Sequence, residues 1–304
     1  MHARFVVTTK DSNRRLDQFI PENDASLSRS FIRNLIEIGG VHIQGRRVRK
    51  CAHVVHTGDS VEVHWDGLPL KPFSLTQERI VFRDRYLLAV DKPAGIDVQP
   101  TPARYKGTLY EALLRFLHDP FRPLDRPSLG MVQRLDRDTS GVMIFSIHPR
   151  AHRGLTSAFC ERTVGKRYLA LVKGVPVAAE GELRSYLTRD RYQNKVRSVA
   201  NGGKEAITRY RLVEDFGAAA LLDVEIFTGR SHQIRVHLAE TGHPLLGDTL
   251  YGGPDEIMGC AVARQMLHSR ELTLTHPVLE TPLSLEAQLP PDFESVCRLL
   301  RSLG

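Results

Sequence analysis

The chain has 304 residues, 41% hydrophobic and 25% charged, with 42 Lys and Arg against 35 Asp and Glu for a net charge of +7. This is a soluble globular composition of one large or two ordinary domains, and its basic balance favours a polyanionic partner, RNA or DNA first, with a basic enzyme that binds no nucleic acid as the alternative. Four scattered cysteines (Cys51, Cys160, Cys260, Cys297) with no CxxC pair, no apolar run near the ~20 residues of a membrane span and no apolar leader at the N-terminus speak against a zinc knuckle, a redox motif, a membrane protein and a secreted one, so a cytoplasmic protein is expected.

Residues 1–66 read as a small separate unit. Ser28 can cap a helix whose apolar residues Phe31, Ile32, Leu35 and Ile36 fall at helical spacing, and Gly39-Gly40 stops it. Val41 and Ile43 then alternate with His42 and Gln44 as a strand does, Gly45 marks a turn, and beyond Gly58-Asp59 a second alternating strand runs from Ser60 to His64. Between Arg29 and Lys50 stand six basic residues (Arg29, Arg33, Arg46, Arg47, Arg49, Lys50) and one acid, Glu37, a local net of +5. Arg29 and Arg33 are four apart and share a helix face. Helix face and nearby loop are therefore both basic and suit phosphate contact; a solvated charged face is the plainer alternative.

Residues 67–78, with two prolines and little periodicity, read as a linker to a larger domain over 79–304. In that domain Arg85–Val90 reads as a buried strand followed by the turn Asp91–Gly95. Helical spacing marks 109–118, 151–162 and 231–240, the last closed by Gly242 and Pro244. Val142–Phe145 looks like a core strand, and strands are predicted over 166–174, 206–213 and 220–227. So many strands with little intervening helix predict an α+β fold: a largely antiparallel mixed β-sheet with flanking helices, plus the small α+β N-terminal domain.

Three stretches could carry chemistry. The run Gln133–Gly141 sets Asp136 between Arg134 and Arg137 and ends in the turn-former Gly141. A carboxylate held beside guanidinium groups stays ionised in a fixed pose, which suits a nucleophile or general base and equally a structural salt bridge. In Thr228–His237 a strand ends at Phe227, the chain turns at Gly229 and a helix starts near Ser231. Free backbone N–H groups there, with Arg230 and Arg235, make an anion-binding corner for a phosphate or for the side chain of Asp136; an ordinary capped helix is the alternative. Tyr168, mid-strand, is either a core aromatic or a ring that stacks on a base, worth ~1–3 kcal/mol. His232 and His237 are five apart, roughly 140° around a helix, and cannot share an ion as an HExxH pair does, so no metal site is expected. GxGxxG, P-loop and GxSxG motifs are absent, which argues against dinucleotide, NTP and α/β-hydrolase chemistry.

Taken together these segments resemble one family, the RluA-type RNA pseudouridine synthases. RLDRDTSG (134–141) matches the motif around that family's catalytic aspartate, KRYLALVKG (166–174) the strand with its active-site tyrosine, and TGRSHQIRVHLAETGHPLLGDTLYG (228–252) the long motif with its arginine. Asp91–Gly95 is similar to its KPxG turn, and Leu267-His268-Ser269 with Thr275-His276-Pro277 to the C-terminal motif that supplies an apolar shelf. Residues 1–66 resemble the small RNA-binding domain, of ribosomal-protein-S-four type, that many members carry. Two positions depart from the pattern: Gln133 stands where the family usually has His, and His42-Ile43-Gln44-Gly45 where an Asn-Gly is common.

The resemblance implies conversion of uridine in RNA to pseudouridine, with large-subunit ribosomal RNA as the favoured substrate, tRNA as the alternative, and a non-catalytic ribosome-assembly factor as the reading from another class. It implies that Asp136 acts as nucleophile or electrostatic partner at the anomeric carbon. Arg230 pairs with it, Tyr168 stacks on the detached uracil and assists loss of the carbon-5 proton, and Leu267 closes the other face of the base. Lys92, Arg134, His232 and Arg235 are expected at the substrate site, and Arg29, Arg33, Arg46, Arg47, Arg49 and Lys50 on RNA phosphates. No cofactor or metal is called for, and a monomer is expected. The target base must be flipped out, at a cost of a few kcal/mol.

Overall fold

The computed structural model describes residues 2–190 and 195–303. Its contacts divide the chain into two units, residues 1–75 with 96–127, and residues 76–95 with 128–304.

The first unit contains β1 (His2–Val6), α1 (Leu16–Asn23), α2 (Arg29–Ile38), β2 (Val41–Ile43), β3 (Arg46–Val48), β4 (Ser60–His64) and α3 (Leu109–Phe116). The strands form an antiparallel sheet in the order β1-β4-β2-β3. As the sequence predicts, the Ser28 side chain accepts from Phe31 N at 3.2 Å to start α2, and Gly39, at φ +97°, ends it. The apolar stripes of α1 and α2 (Phe19, Ile20, Ile32, Leu35) bury against Val41, Val61 and Val63. Residues 96–127, expected in the larger domain, group with this unit instead. Arg104 donates to both carboxylate oxygens of Asp66 (2.6 and 2.7 Å), Tyr105 N to Ile38 O (2.8 Å) and Arg47 to Thr101 O (2.6 Å). Such links leave no mark in local periodicity.

The second unit is built on one 11-stranded sheet. Its strands are β5 (Ile80–Arg83), β6 (Leu87–Lys92), β7 (Gly130–Met131), β8 (Ser140–Ser146), β9 (Gly165–Lys173), β10 (Glu180–Asp190), β11 (Lys195–Val199), β12 (Lys204–Asp215), β13 (Ala219–Ile226), β16 (Leu267–Thr275) and β17 (Pro282–Glu286). A two-stranded piece, β14 (Glu256–Ile257) and β15 (Cys260–Ala261), stands apart. The main path is β11-β10-β12-β13-β9-β16-β8-β6-β5, and all its pairs are antiparallel except β16 with β8. The α+β expectation of a largely antiparallel mixed sheet holds.

Three helices cover this sheet. In α4 (Pro149–Cys160), Ala151 and Leu155 pack on Leu87, Val142 and Ile144; in α6 (Pro291–Leu303), Phe293, Val296 and Leu300 pack on Leu169, Leu171 and Leu221. Val236 of α5 (Gln233–Glu240) packs on Leu187 and Ala206. Strands β10 and β11 fall in stretches without a predicted element, because β10 buries only Leu187 among its 11 residues and shows little apolar alternation. Gly141, expected in a turn, lies inside β8 at φ +116°. There a Cβ would come within 2.1 Å of Ser269 O, so glycine is what lets β8 and β16 run side by side.

Candidate active site

Asp136 sits on the loop that leads into β8, and main-chain ties hold that loop from several sides. Thr139 N donates to Asp136 O (3.1 Å), and Gly95 N to Arg137 O (2.9 Å). The ammonium of Lys92 donates to Arg137 O (2.8 Å) and Pro93 O (2.9 Å). Arg264 donates to Asp138 O (3.1 Å) and pairs with Asp292 of α6 (2.6 Å), while Gln265 donates to Thr139 Oγ1 (3.3 Å). Lys92 is fully buried. The sequence placed it at the substrate; the structure makes it a brace of the Asp136 loop, because its charge is spent on carbonyl oxygens that a turn leaves unpaired.

The guanidinium that meets Asp136 is Arg235, with Nη1 3.0 Å from Oδ2. The expected Arg230 partnership is not formed. Arg230 lies in the turn before α5 and donates through Nε to Glu205 O (3.0 Å), whereas Arg235, in the first turn of α5, is carried by the helix toward the carboxylate. Arg235 also forks onto Asp248 through Nε (2.7 Å) and Nη2 (2.8 Å). Burial works against its charge, but the bonds and charges of Asp248 and Asp136 more than compensate, and its pKa lies above the ordinary arginine value. Asp248 is 1% exposed against 28% for Asp136. One acid is thus a buried anchor, while the other keeps an open side.

Helix α5 is held by its own polar residues. Gln233 accepts from Thr228 Oγ1 (2.7 Å) and Arg230 N (3.1 Å) and donates to Ile207 O (3.0 Å). His237 bridges Thr208 Oγ1 (2.9 Å) and Ser185 Oγ (3.0 Å). His232, at φ +52°, contacts the Tyr251 hydroxyl at 2.8 Å and has Nε2 3.9 Å from Asp136. Burial pulls the His232 pKa below its ordinary value, so its ring is neutral near pH 7 and is not a second cation for Asp136.

Tyr168 and Leu267 lie on the neighbouring strands β9 and β16. Ser269 pairs with Tyr168 and Leu267 with Ala170, so the pleat turns both side chains to one face. Tyr168 is 6% and Leu267 4% exposed. Burial pushes the Tyr168 hydroxyl up to about 12, with the Ser269 hydroxyl opposing and the Asp136 charge adding to the rise. Its hydroxyl stays protonated at neutral pH, which suits a stacking ring better than the proton acceptor that the resemblance suggested. Arg134 is exposed, with Nη2 3.5 Å from Ser231 Oγ. The Gln133 amide nitrogen is buried with no hydrogen-bond partner among the described residues.

In the first unit, Arg33, Arg46 and Lys50 are exposed as expected of phosphate-contacting residues. Three others have protein partners. Arg47 donates to Gly39 O (2.5 Å) and Thr101 O (2.6 Å), Arg29 pairs with the buried Asp17 (3.0 Å), and Arg49 lies 4.5 Å over the Tyr105 ring. Arg47 is thereby a structural strut, not a free cation. His2, Glu62 and His64 bring ligand atoms within 4.8 Å of one another. Spacing hid this grouping because it crosses from β1 to β4. A cleft of 580 Å³ lined by Arg167, Glu182, Arg209, Arg211, Asp223 and Glu225 lies on the face of the sheet away from Tyr168, as the pleat requires of Arg167, and does not include Asp136.

Asp248, Tyr251, Arg264 and Gln265 were not singled out from the sequence. Asp248 and Tyr251 lie within the long 228–252 motif, which is the one signal that pointed to them. Among the described residues no helix is long and apolar enough to cross a membrane.

Residues 86–240 match the family model described as RNA pseudouridylate synthase. An RNA pseudouridine synthase of Aquifex aeolicus is 36% identical over 294 residues, covering 93% of this chain and 92% of that protein. A ribosomal large subunit pseudouridine synthase D of Zymomonas mobilis is 34% identical over 303 residues, covering 94% and 93%. The solved structure of human RNA pseudouridylate synthase domain containing 4 aligns with a TM-score of 0.61 at 25% identity, over 74% of this chain and 93% of that one. By the family model over residues 86–240 and by relatives above 30% identity along nearly its whole length, the chain belongs to the RNA pseudouridine synthase family.

Proposed function

We propose that this enzyme isomerises uridine in large-subunit ribosomal RNA, with Asp136 as the group that acts at the anomeric carbon. The observation that carries the mechanism is the 3.0 Å contact of Arg235 with Asp136, on a carboxylate that keeps an open side. The flipped uridine presents C1′ to Asp136. The N1–C1′ bond breaks as the carboxylate meets the developing positive charge, by covalent attack or by electrostatic stabilisation. The detached uracil turns between Tyr168 and Leu267, C5 bonds to C1′ as any Asp136–C1′ ester bond breaks and returns its electron pair to the carboxylate, the C5 proton is lost to solvent, and N1 takes up one proton from solvent. Atoms and electrons balance within the substrate, so the sequence of steps calls for no cofactor. The ribosomal target is supported by the likeness to the Zymomonas protein.

The test is tritium release from RNA labelled at uracil C5, with EDTA present, on large-subunit ribosomal RNA and tRNA in parallel. Release from ribosomal RNA is the expected result. Release from tRNA alone would replace the target, and tight binding with no release from either would favour the assembly-factor reading.

The exposed Arg33, Arg46 and Lys50 are proposed to touch phosphates. Replacing all three by Gln is expected to lower the salt dependence of RNA binding, as the slope of log affinity on log salt, by about 2–3. An unchanged slope in a filter-binding titration would remove these residues from the RNA path.

A further inference from the structure

Lys166 precedes Tyr168 by two residues on β9, so the two side chains lie on the same face of the sheet. Lys166 is 6% exposed; among the described residues its ammonium has no hydrogen-bond or ion-pair partner, and its nitrogen keeps a small opening to solvent. A lysine with so little exposed surface usually has a charged partner, because a poorly solvated ammonium is costly. The nearest charges make matters worse. Arg162, at the turn between α4 and β9, and Arg230, in the turn before α5, both act on Lys166, and after burial itself their charges hold its pKa below the ordinary lysine range.

Among the described residues, the carboxylate these arginines gather around is Glu205, at the start of β12. Arg162 Nη1 lies 3.6 Å and Arg184 Nε 3.7 Å from it, while Arg230 bonds only its main-chain oxygen. Among the described residues, three cations (Lys166, Arg162, Arg230) stand against the one carboxylate that Arg162 meets, and Arg184 also draws on that carboxylate. A salt-bridge network built for stability would balance its signs; this one is short of anions. The basic run also leads toward the reacting centre, since Arg134, two residues before Asp136, approaches Ser231 beside Arg230 at 3.5 Å.

We propose that Lys166, with Arg162 and Arg230, forms a phosphate site that grips the RNA backbone beside the flipped uridine. The inference rests on the pseudouridine synthase mechanism above and adds to it the group that positions the substrate. A phosphodiester supplies the missing negative charge and oxygens for several N–H donors at once, which the compact ammonium and the planar guanidinium groups suit. Lys166 is a positioning residue in this account. It offsets part of the cost of base flipping by fixing the backbone.

The experiment compares Lys166→Met, Lys166→Arg and wild type. In steady-state tritium release, Lys166→Met is expected to raise KM by about tenfold, the scale of one charge-assisted hydrogen bond, with kcat within about threefold if the contact is uniform through the reaction. In RNA binding on an Asp136→Asn background, the same change is expected to lower the salt slope by about 1, and Lys166→Arg to restore it. The urea midpoint of Lys166→Met is expected at or above that of wild type, because a poorly solvated charge with no protein partner is removed; a purely structural lysine would move it down. Arg162→Gln, on a side chain that is 44% exposed, gives the same slope reading if Lys166→Met does not fold. Unchanged KM and unchanged salt slope in both variants would overturn the phosphate site. Because the slope is read without turnover, a wild type that binds RNA yet releases no tritium would count against the activity and not against the site.

Discussion

Asp136→Asn is expected to slow pseudouridine formation by about 10⁴-fold or more, the loss typical when a reacting carboxylate is neutralised, while RNA affinity stays within about threefold. The substitution keeps the side-chain volume and removes the charge that meets C1′. Arg235 retains both of its bonds to Asp248, so the local structure has no reason to collapse. Single-turnover tritium release measures the first quantity and filter binding the second. A variant with more than about a tenth of wild-type activity would falsify the role of Asp136, since an amide oxygen can neither form the ester nor offset a full positive charge.

Arg235→Ala is expected to destabilise the protein by about 3–5 kcal/mol, the cost of leaving a buried partner charge uncompensated, and to abolish turnover. Asp248 carries most of that cost: it is 1% exposed and takes two bonds from Arg235. Arg235→Lys keeps the charge but not the three-way fork to Asp248 and Asp136, and belongs between the two. Arg230→Ala removes one bond to a main-chain oxygen and is expected to cost about 1 kcal/mol or less. Urea denaturation of the three variants separates them. Equal losses from Arg230→Ala and Arg235→Ala would contradict the pairing described for Asp136.

Much of this was legible in the chain. The cap at Ser28, the left-handed stop at Gly39, the alternation in β4 and the apolar run in β9 are local features, set by side-chain pattern and by backbone angles that only glycine reaches easily. The motif around Asp136 and the strand with Tyr168 were visible for the same reason, as contiguous runs. Strand β10, half exposed and rich in charge, carried too little apolar contrast to be seen.

The choice between two arginines was of another kind. Arg230 and Arg235 lie in one ten-residue segment, and either could reach an anion; only the start of α5, fixed by Gln233 on Ile207 and Thr208, aims Arg235 at Asp136 and leaves Arg230 on Glu205. Lys92 looked like a substrate contact until the loop folded over it. Gly141 looked like a turn until β16 lay beside β8. By itself the sequence determined the family, the candidate carboxylate and the α+β class, because those depend on residue type and short spacing. The tertiary structure alone decided which cation meets Asp136, because Arg235 lies 99 positions away and their meeting depends on how the sheet orders its strands.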